Sequence, residues 1–106
     1  MLGFGLVVRF TIKAGRMAEF DALVERTLTG IRAHEPGTLI YASHAVDGSP
    51  DVRVFYELYR DRDAFETHEQ QPHTREFLDQ RSEFVESFEV TFLEAVDVKS
   101  TAWGAQ

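Results

Sequence analysis

The sequence predicts an α+β fold, because segments with two kinds of hydrophobic periodicity alternate along a short chain. The protein has 106 residues, a length typical of one domain with one core. Apolar residues make up 43% of the chain and aromatic residues 12%, which is enough to fold around a core. We therefore expect a single domain over residues 1–106, with its core at about residues 6–96.

The first strand and the first helix follow from the pattern between residues 6 and 34. The segment Leu6–Ile12 is rich in β-branched residues and is bounded by glycines, which predicts a strand. An apolar stripe at helical spacing then predicts a helix from about Arg16 to His34. Pro36 biases Glu35 away from helical torsions and Gly37 permits a reversal, so the helix should end there.

Two further strands and their connection follow this helix. Thr38–His44 and Arg53–Tyr59 predict strands, and the segment Ala45–Val52 carries the Gly and Pro of a hairpin connection. Side chains of a strand alternate between the two faces of a sheet. One face of the third strand therefore carries Arg53, Phe55, Glu57 and Tyr59.

The second half of the chain predicts a helical layer and a last strand. Asp61 is a good N-cap for a short helix from Arg62 to about Glu69, and Pro72 interrupts the helical pattern. A second helical piece runs from about His73 to Phe84, and Phe88–Val96 alternates as a strand. The resulting order βαββαβ is the ferredoxin-like arrangement, an antiparallel sheet with its helices on one face.

Apolar side chains on the other face of this sheet predict a homodimer. A lone domain of this size would leave these side chains in water. A second sheet from another copy would cover them. The tail from about residue 97 to 106 has no periodicity, and we expect Trp103 to pack on the partner subunit as part of an arm.

Charge and cysteine content exclude several classes of function. The formal net charge is −7, which disfavours nucleic acid and anionic membranes as partners because both attract cationic surfaces. The chain has no cysteine, so disulfide scaffolds, cysteine-ligated metals and thiol nucleophiles are excluded. The apolar start is too short for a transmembrane helix and lacks a basic region, which favours a cytoplasmic protein.

A candidate proton-transfer site lies between Val54 and Phe77. Glu57 and Tyr59 come at the end of a strand, and His68 and His73 follow in the helical segment. Imidazole suits a general base because its unperturbed pKa of about 6.5 lies near working pH. Either histidine could serve as that base, with Glu57 orienting the ring and stabilising its charged form.

Several of these residues together resemble a known family. The turn HEPG at His34–Gly37 precedes Tyr41, the strand FYELY contains Glu57, and His68 is followed by Pro72-His73 and Phe77. In this order and spacing the chain resembles the antibiotic biosynthesis monooxygenase family, whose members belong to the dimeric α+β barrel group. The resemblance covers about residues 6–96 and implies a homodimer in which two sheets form a barrel, with a pocket in each subunit between sheet and helices.

The resemblance also implies what the pocket does. It implies a cofactor-independent monooxygenase that uses dioxygen on a small aromatic, hydroquinone or polyketide-like substrate. Tyr41 or Tyr59 could donate a hydrogen bond to a substrate oxygen. The pocket-facing candidates are Arg9, Tyr41, Phe55, Glu57, Tyr59, His68, His73 and Phe77, with Phe55, Phe65 and Phe77 as apolar walls.

Three departures from the family are visible, and the first two narrow this expectation. Leu78 stands where haem-degrading members carry an iron-ligating histidine, which argues against haem degradation. The asparagine found on the first strand of some polyketide oxygenases has no counterpart among Val7, Val8 and Arg9, which argues against a simple anthrone oxygenase. Tyr59 also replaces a tryptophan that is common in the family.

Other interpretations of the same residues stay open. The two histidines could form an exposed helix connection or a cap, the tyrosines could be core residues, and Arg9 or a backbone amide could pair with Glu57. A metal held by His68, His73 and Glu57 is disfavoured, because the histidines lack the i, i+4 spacing typical of such sites. Two alternative functions remain: an isomerase or cyclase that uses the same base, and a binding protein without turnover.

Overall fold

A computed structural model describes residues 3–99 and confirms the predicted α+β order of elements. A short 3-10 turn, Arg81–Glu83, joins the last helix to the last strand. The elements are β1 (Phe4–Ile12), α1 (Met17–His34), β2 (Thr38–Val46), β3 (Ser49–Tyr59), α2 (Arg62–Gln70), α3 (Pro72–Gln80) and β4 (Val85–Glu94).

The four strands form one antiparallel sheet in the order β2-β3-β1-β4. Val8 in the centre of β1 lies opposite Phe55 of β3 and Val90 of β4. The helices cover one face of this sheet, as predicted. Their contact with the sheet forms the core, whose buried members include Leu6, Val8, Phe10, Phe20, Leu23, Phe55 and Phe77.

The predicted hairpin connection between β2 and β3 is confirmed, but it is shorter than the predicted Ala45–Val52 because most of that segment belongs to the strands. Only Asp47 and Gly48 lie between β2 and β3. Gly48 has a φ of +78°, which suits glycine in a tight two-residue turn. Pro50 is tolerated inside β3 because the pairing of β3 with β1 begins only at Val52.

The ends of the other late elements differ from prediction by a few residues. Asp61 caps α2 as predicted, since its Oδ1 accepts a 2.8 Å hydrogen bond from the backbone N–H of Ala64. Pro72 opens α3 at its first turn, where a missing N–H costs nothing. The last strand runs from Val85 to Glu94, whereas alternation alone predicted Phe88–Val96.

The face of the sheet opposite the helices has no second layer within residues 3–99. Its partly exposed apolar side chains include Val7, Val54 and Tyr56, and Leu93 is 36% exposed. Most of the predicted C-terminal arm, including Trp103, lies outside the described residues. Over residues 3–99, none of the helices has the length and apolar character that crossing a bilayer requires.

Candidate active site

A cavity of about 170 Å³ lies between the sheet and the helical layer. Its apolar lining comes from three parts of the fold. Exposed side chains of β4 form one side of it, and Phe92 among them is 59% exposed. The apolar lining residues are Leu6, Val8 and Phe10 of β1, Phe65, Phe77 and Leu78 of the helices, and Phe88, Val90 and Phe92 of β4.

Polar side chains converge on this cavity from β2, β3, both later helices and the 3-10 turn. They are Tyr41, Glu57, His68, Glu69, Thr74 and Arg81. The structure thus brings five of the predicted site residues to one cavity: Tyr41, Glu57, Phe65, His68 and Phe77.

Three other candidates lie behind the cavity wall. Phe55 is completely buried, with ring centroids 5.7 Å from Tyr41 and 6.2 Å from Phe77. Tyr59 is also completely buried, and its hydroxyl donates a 2.5 Å hydrogen bond to Glu57 Oε1. His73 is hydrogen-bonded to a buried carboxylate that is described below.

The prediction that Arg9 faces the pocket is wrong. Arg9 is exposed and lies opposite Val54 and Glu89 in the sheet. Because side chains alternate along β1, the buried neighbours Val8 and Phe10 take the helix-covered face and Arg9 takes the other. For the same reason Arg9 cannot pair with Glu57.

The carboxylate that orients His68 is Glu35, not the predicted Glu57. His68 Nδ1 lies 2.7 Å from Glu35 Oε1, whereas His68 Nε2 is 4.0 Å from Glu57 Oε1. The hydroxyl of Thr38 donates a 2.6 Å hydrogen bond to the same Glu35 oxygen. His73 Nε2 makes a short hydrogen bond with the other oxygen, Oε2.

Sequence reasoning treated Glu35 only as the end of a helix. Its backbone is indeed non-helical, with φ −124° and ψ 74°, as expected before a proline. That turn directs the side chain inward, where it is only 2% exposed. The available signal was a charged residue between a helix end and Pro36, but His68 is 33 positions away and nothing local links the two.

The environment keeps Glu35 ionised. Burial alone would raise the pKa of this carboxyl, but hydrogen bonds from His68, Thr38 and His73, together with the positive charge that His68 can carry, lower it to about 2. An ionised carboxylate only accepts hydrogen bonds. His68 therefore donates from Nδ1, and in the neutral form of the ring Nε2 is left to act as an acceptor.

Glu57 has the opposite electrostatic character. Burial raises its pKa, and the hydrogen bond from Tyr59 and the positive charge that His68 has when protonated oppose that rise only in part. Burial, reinforced by nearby carboxylates, also raises the pKa values of Tyr41 and Tyr59. Both phenols are therefore neutral at ordinary pH, and Tyr41 is a neutral hydroxyl at the cavity wall.

Arg81 adds a positive charge that the sequence analysis did not assign to the site. It follows α3, and its guanidinium lies 4.4 Å from the ring centroid of Phe88. Glu57 and Glu69 line the same cavity as Arg81. Within residues 3–99, however, no carboxylate lies at salt-bridge distance from the Arg81 guanidinium. Burial lowers the pKa of Arg81 from the ordinary 12.5. The neighbouring groups therefore do not fully compensate the guanidinium for the water that it loses.

None of the described side chains forms a metal site: residues 3–99 contain no cluster of three or more His, Asp or Glu that could hold a metal ion. The donor groups at the cavity are instead a histidine, a phenol, a carboxyl and a guanidinium. This set can move a proton and stabilise an anion.

The fold and the cavity define a small ferredoxin-like α+β protein with an acid–base pocket between sheet and helices. Residues 3–80 match the family model for antibiotic biosynthesis monooxygenase. The chain therefore belongs to the antibiotic biosynthesis monooxygenase family, which confirms the resemblance found in the sequence. No curated protein matches the chain.

Solved structures share this fold. Two proteins named after the same family, from Bacteroides thetaiotaomicron and Caulobacter crescentus, each superpose with a TM-score of 0.84 at 21% and 22% identity. The alignments cover 92% and 90% of this chain and 95% and 91% of theirs. A Mycobacterium tuberculosis protein is 27% identical with a TM-score of 0.82, over 92% of this chain and 99% of its own.

Proposed function

We propose that this protein is a monooxygenase that needs neither metal nor flavin and oxidises a small hydroquinone-like aromatic substrate. The observation that carries the proposal is the position of His68, which lines the cavity while its Nδ1 is bonded to the ionised Glu35. A histidine held this way presents Nε2 as a general base. His68 is therefore the proposed base, and His73 is not.

The chemistry requires a base, a place for an anion and an apolar cage. Proton transfer from a hydroquinone hydroxyl to His68 Nε2 gives an anion that can pass an electron to dioxygen. The radical pair then combines, and a hydroquinone plus dioxygen yields a hydroxyquinone and water. Arg81 and the neutral Tyr41 hydroxyl would stabilise the anion, while Phe65 and Phe77 would exclude water.

The size of the cavity supports a substrate with one aromatic ring. Apolar cavities of about 150 Å³ hold a benzene molecule, and this one measures about 170 Å³. A multi-ring polyketide would have to extend beyond it, past the exposed side chains of β4.

The homodimer is part of the same proposal. The uncovered sheet face carries partly exposed Val7, Val54 and Tyr56, and a second copy of the sheet would remove them from water. The cytoplasmic location stays a prediction from the sequence.

The test is oxygen uptake by metal-stripped protein with a panel of single-ring hydroquinones, measured against their uncatalysed autoxidation. His68→Asn keeps an amide donor for Glu35 but removes the base, so uptake should fall about 100-fold or more. His44→Asn is the matched control, because His44 is exposed on β2. Uptake that is equal in both variants would disprove the role of His68.

The same panel separates the alternatives. A rearranged product formed without oxygen uptake would identify an isomerase or cyclase that uses the same base. Saturable binding with no product from any hydroquinone would favour a binding protein.

A further inference from the structure

One buried carboxylate is shared by two imidazoles. Glu35 Oε1 bonds with His68 and Oε2 bonds with His73, although only His68 lines the cavity. The proposed reaction uses His68 and gives His73 no part. An ionised carboxylate with 2% exposure is costly to bury without a positive charge nearby, and the two rings are the groups at hydrogen-bond distance that can supply it by binding a second proton.

Two residues of α1 determine where the His73 ring lies. Gly30 lies inside that helix, where glycine is less favourable than alanine. A Cβ atom at residue 30 would overlap Cγ and Nδ1 of the His73 ring. His34, one turn further along, stacks on the same ring with centroids 6.4 Å apart. The helix thus leaves space for this imidazole and fixes its orientation.

The surroundings of the two rings differ. The His73 side chain is 12% exposed and faces Glu35 and His34, whereas the His68 side chain is 6% exposed. A charged ring costs less where water has access. The groups that face or surround His68 are Glu35, Glu57, Tyr41, Tyr59 and Thr74, with Glu69 on its own helix and Arg81 beside Tyr41.

We propose that His73 is a positioning residue that carries the proton balancing Glu35 and thereby keeps His68 neutral. With His73 charged, the pair formed by His73 and Glu35 has no net charge, and His68 keeps a free electron pair on Nε2. If His73 loses its charge, the uncompensated Glu35 draws a proton onto His68, and the base is blocked.

The protonation states can be read without any substrate. Nitrogen-15 NMR of the imidazole rings at pH 7 should show His73 protonated on both nitrogens and His68 neutral. Through-bond correlations from each ring to its own backbone amide assign all four histidines in the wild-type protein. A wild-type spectrum with His68 charged and His73 neutral would overturn the proposal, even if no variant folded.

Two substitutions at the same position separate charge from hydrogen bonding. His73→Gln keeps an amide donor for Glu35 but removes the charge, so His68 should protonate at a pH higher by about one unit or more. His73→Lys keeps a positive charge and should leave His68 as in the wild type. An unchanged His68 titration in His73→Gln would contradict the proposal.

The consequence for turnover rests on the proposed function. In His73→Gln the rise of activity with pH should move to higher pH by the same amount, with the rate at high pH retained. A protein that turns over no hydroquinone would disprove the proposed function and leave the ring protonation to be decided by NMR. If His73→Gln has the wild-type pH profile and an unchanged His68 titration, the proposed role of His73 is disproved and the proposed function stands.

Discussion

Glu35 and His68 are joined by a 2.7 Å hydrogen bond although they lie 33 residues apart in the chain. The bond connects the end of α1 to the last turn of α2, and His68 lines the cavity from there. Because Glu35 is ionised, it fixes which nitrogen of His68 carries the proton. One contact thus contributes both to the packing of the helical layer and to the chemistry proposed for the cavity.

Glu35 should make the fold sensitive to acid. Its pKa in the folded protein is about 2, against an ordinary value of 4.5, so its contribution to stability is complete above about pH 4.5 and is lost as the pH falls towards 2. Removing one member of a buried charged group costs about 3–5 kcal/mol. Glu35→Gln should therefore lower the free energy of unfolding by about this amount at pH 7, measured by urea denaturation.

Glu25→Gln is the control for this substitution. Glu25 lies on the same helix but is exposed, so its loss should change stability by less than about 0.5 kcal/mol. The difference between wild type and Glu35→Gln should shrink as the pH approaches 3. If wild type and Glu35→Gln have the same free energy of unfolding at pH 7, the charge of Glu35 does not stabilise the fold.

Glu57 should have the opposite dependence on pH. Its folded pKa lies above the ordinary 4.5, so the folded state binds the proton more tightly, and stability falls as the pH rises through the folded pKa. Glu57→Gln removes this cost while keeping an oxygen that can accept from Tyr59. The variant should have a higher melting temperature than the wild type at pH 8, and the gain should disappear near pH 4. A gain that persists unchanged at pH 4 would rule out ionisation as its cause.

Arg81 should raise kcat/KM, because its charge would stabilise the anion that forms from the substrate. A hydrogen bond to a charged group contributes about 1.5–3 kcal/mol, so Arg81→Gln should lower kcat/KM about tenfold or more with any hydroquinone that supports oxygen uptake. Arg81→Lys should recover part of this loss. Arg75→Gln, which changes an exposed arginine on α3, is the control. If Arg75→Gln has as large an effect, general surface charge explains the result.

The open sheet face should hold two copies together. Wild-type protein should sediment near twice 12.1 kDa at micromolar concentration. Val7→Asp places a charge at the centre of that face and should give a monomer, because burying an unpaired carboxylate is costly. Thr29→Asp, at an exposed position of α1, should leave the dimer intact. A wild-type protein that sediments as a monomer would contradict the homodimer proposal.

Most of the fold could be predicted because its signals are local. The apolar stripe of α1, the Asp61 cap of α2 and the alternation within β3 each depend on residues close in sequence. The length of the hairpin connection shows where such local signals fail. Gly and Pro between Ala45 and Val52 suggested a loop, but Pro50 lies where β3 has only one neighbouring strand and its missing N–H is harmless.

The sequence by itself determined the order of elements, the face of β3 on which Glu57 lies and the presence of a histidine in the helical segment that follows β3. Only the tertiary structure decided which groups meet. The Tyr59 hydroxyl met Glu57, and Glu35 became the partner of both histidines. The physical reason is that periodicity specifies the direction of a side chain from its own backbone, whereas a hydrogen bond between distant residues depends on how helices and sheet pack together.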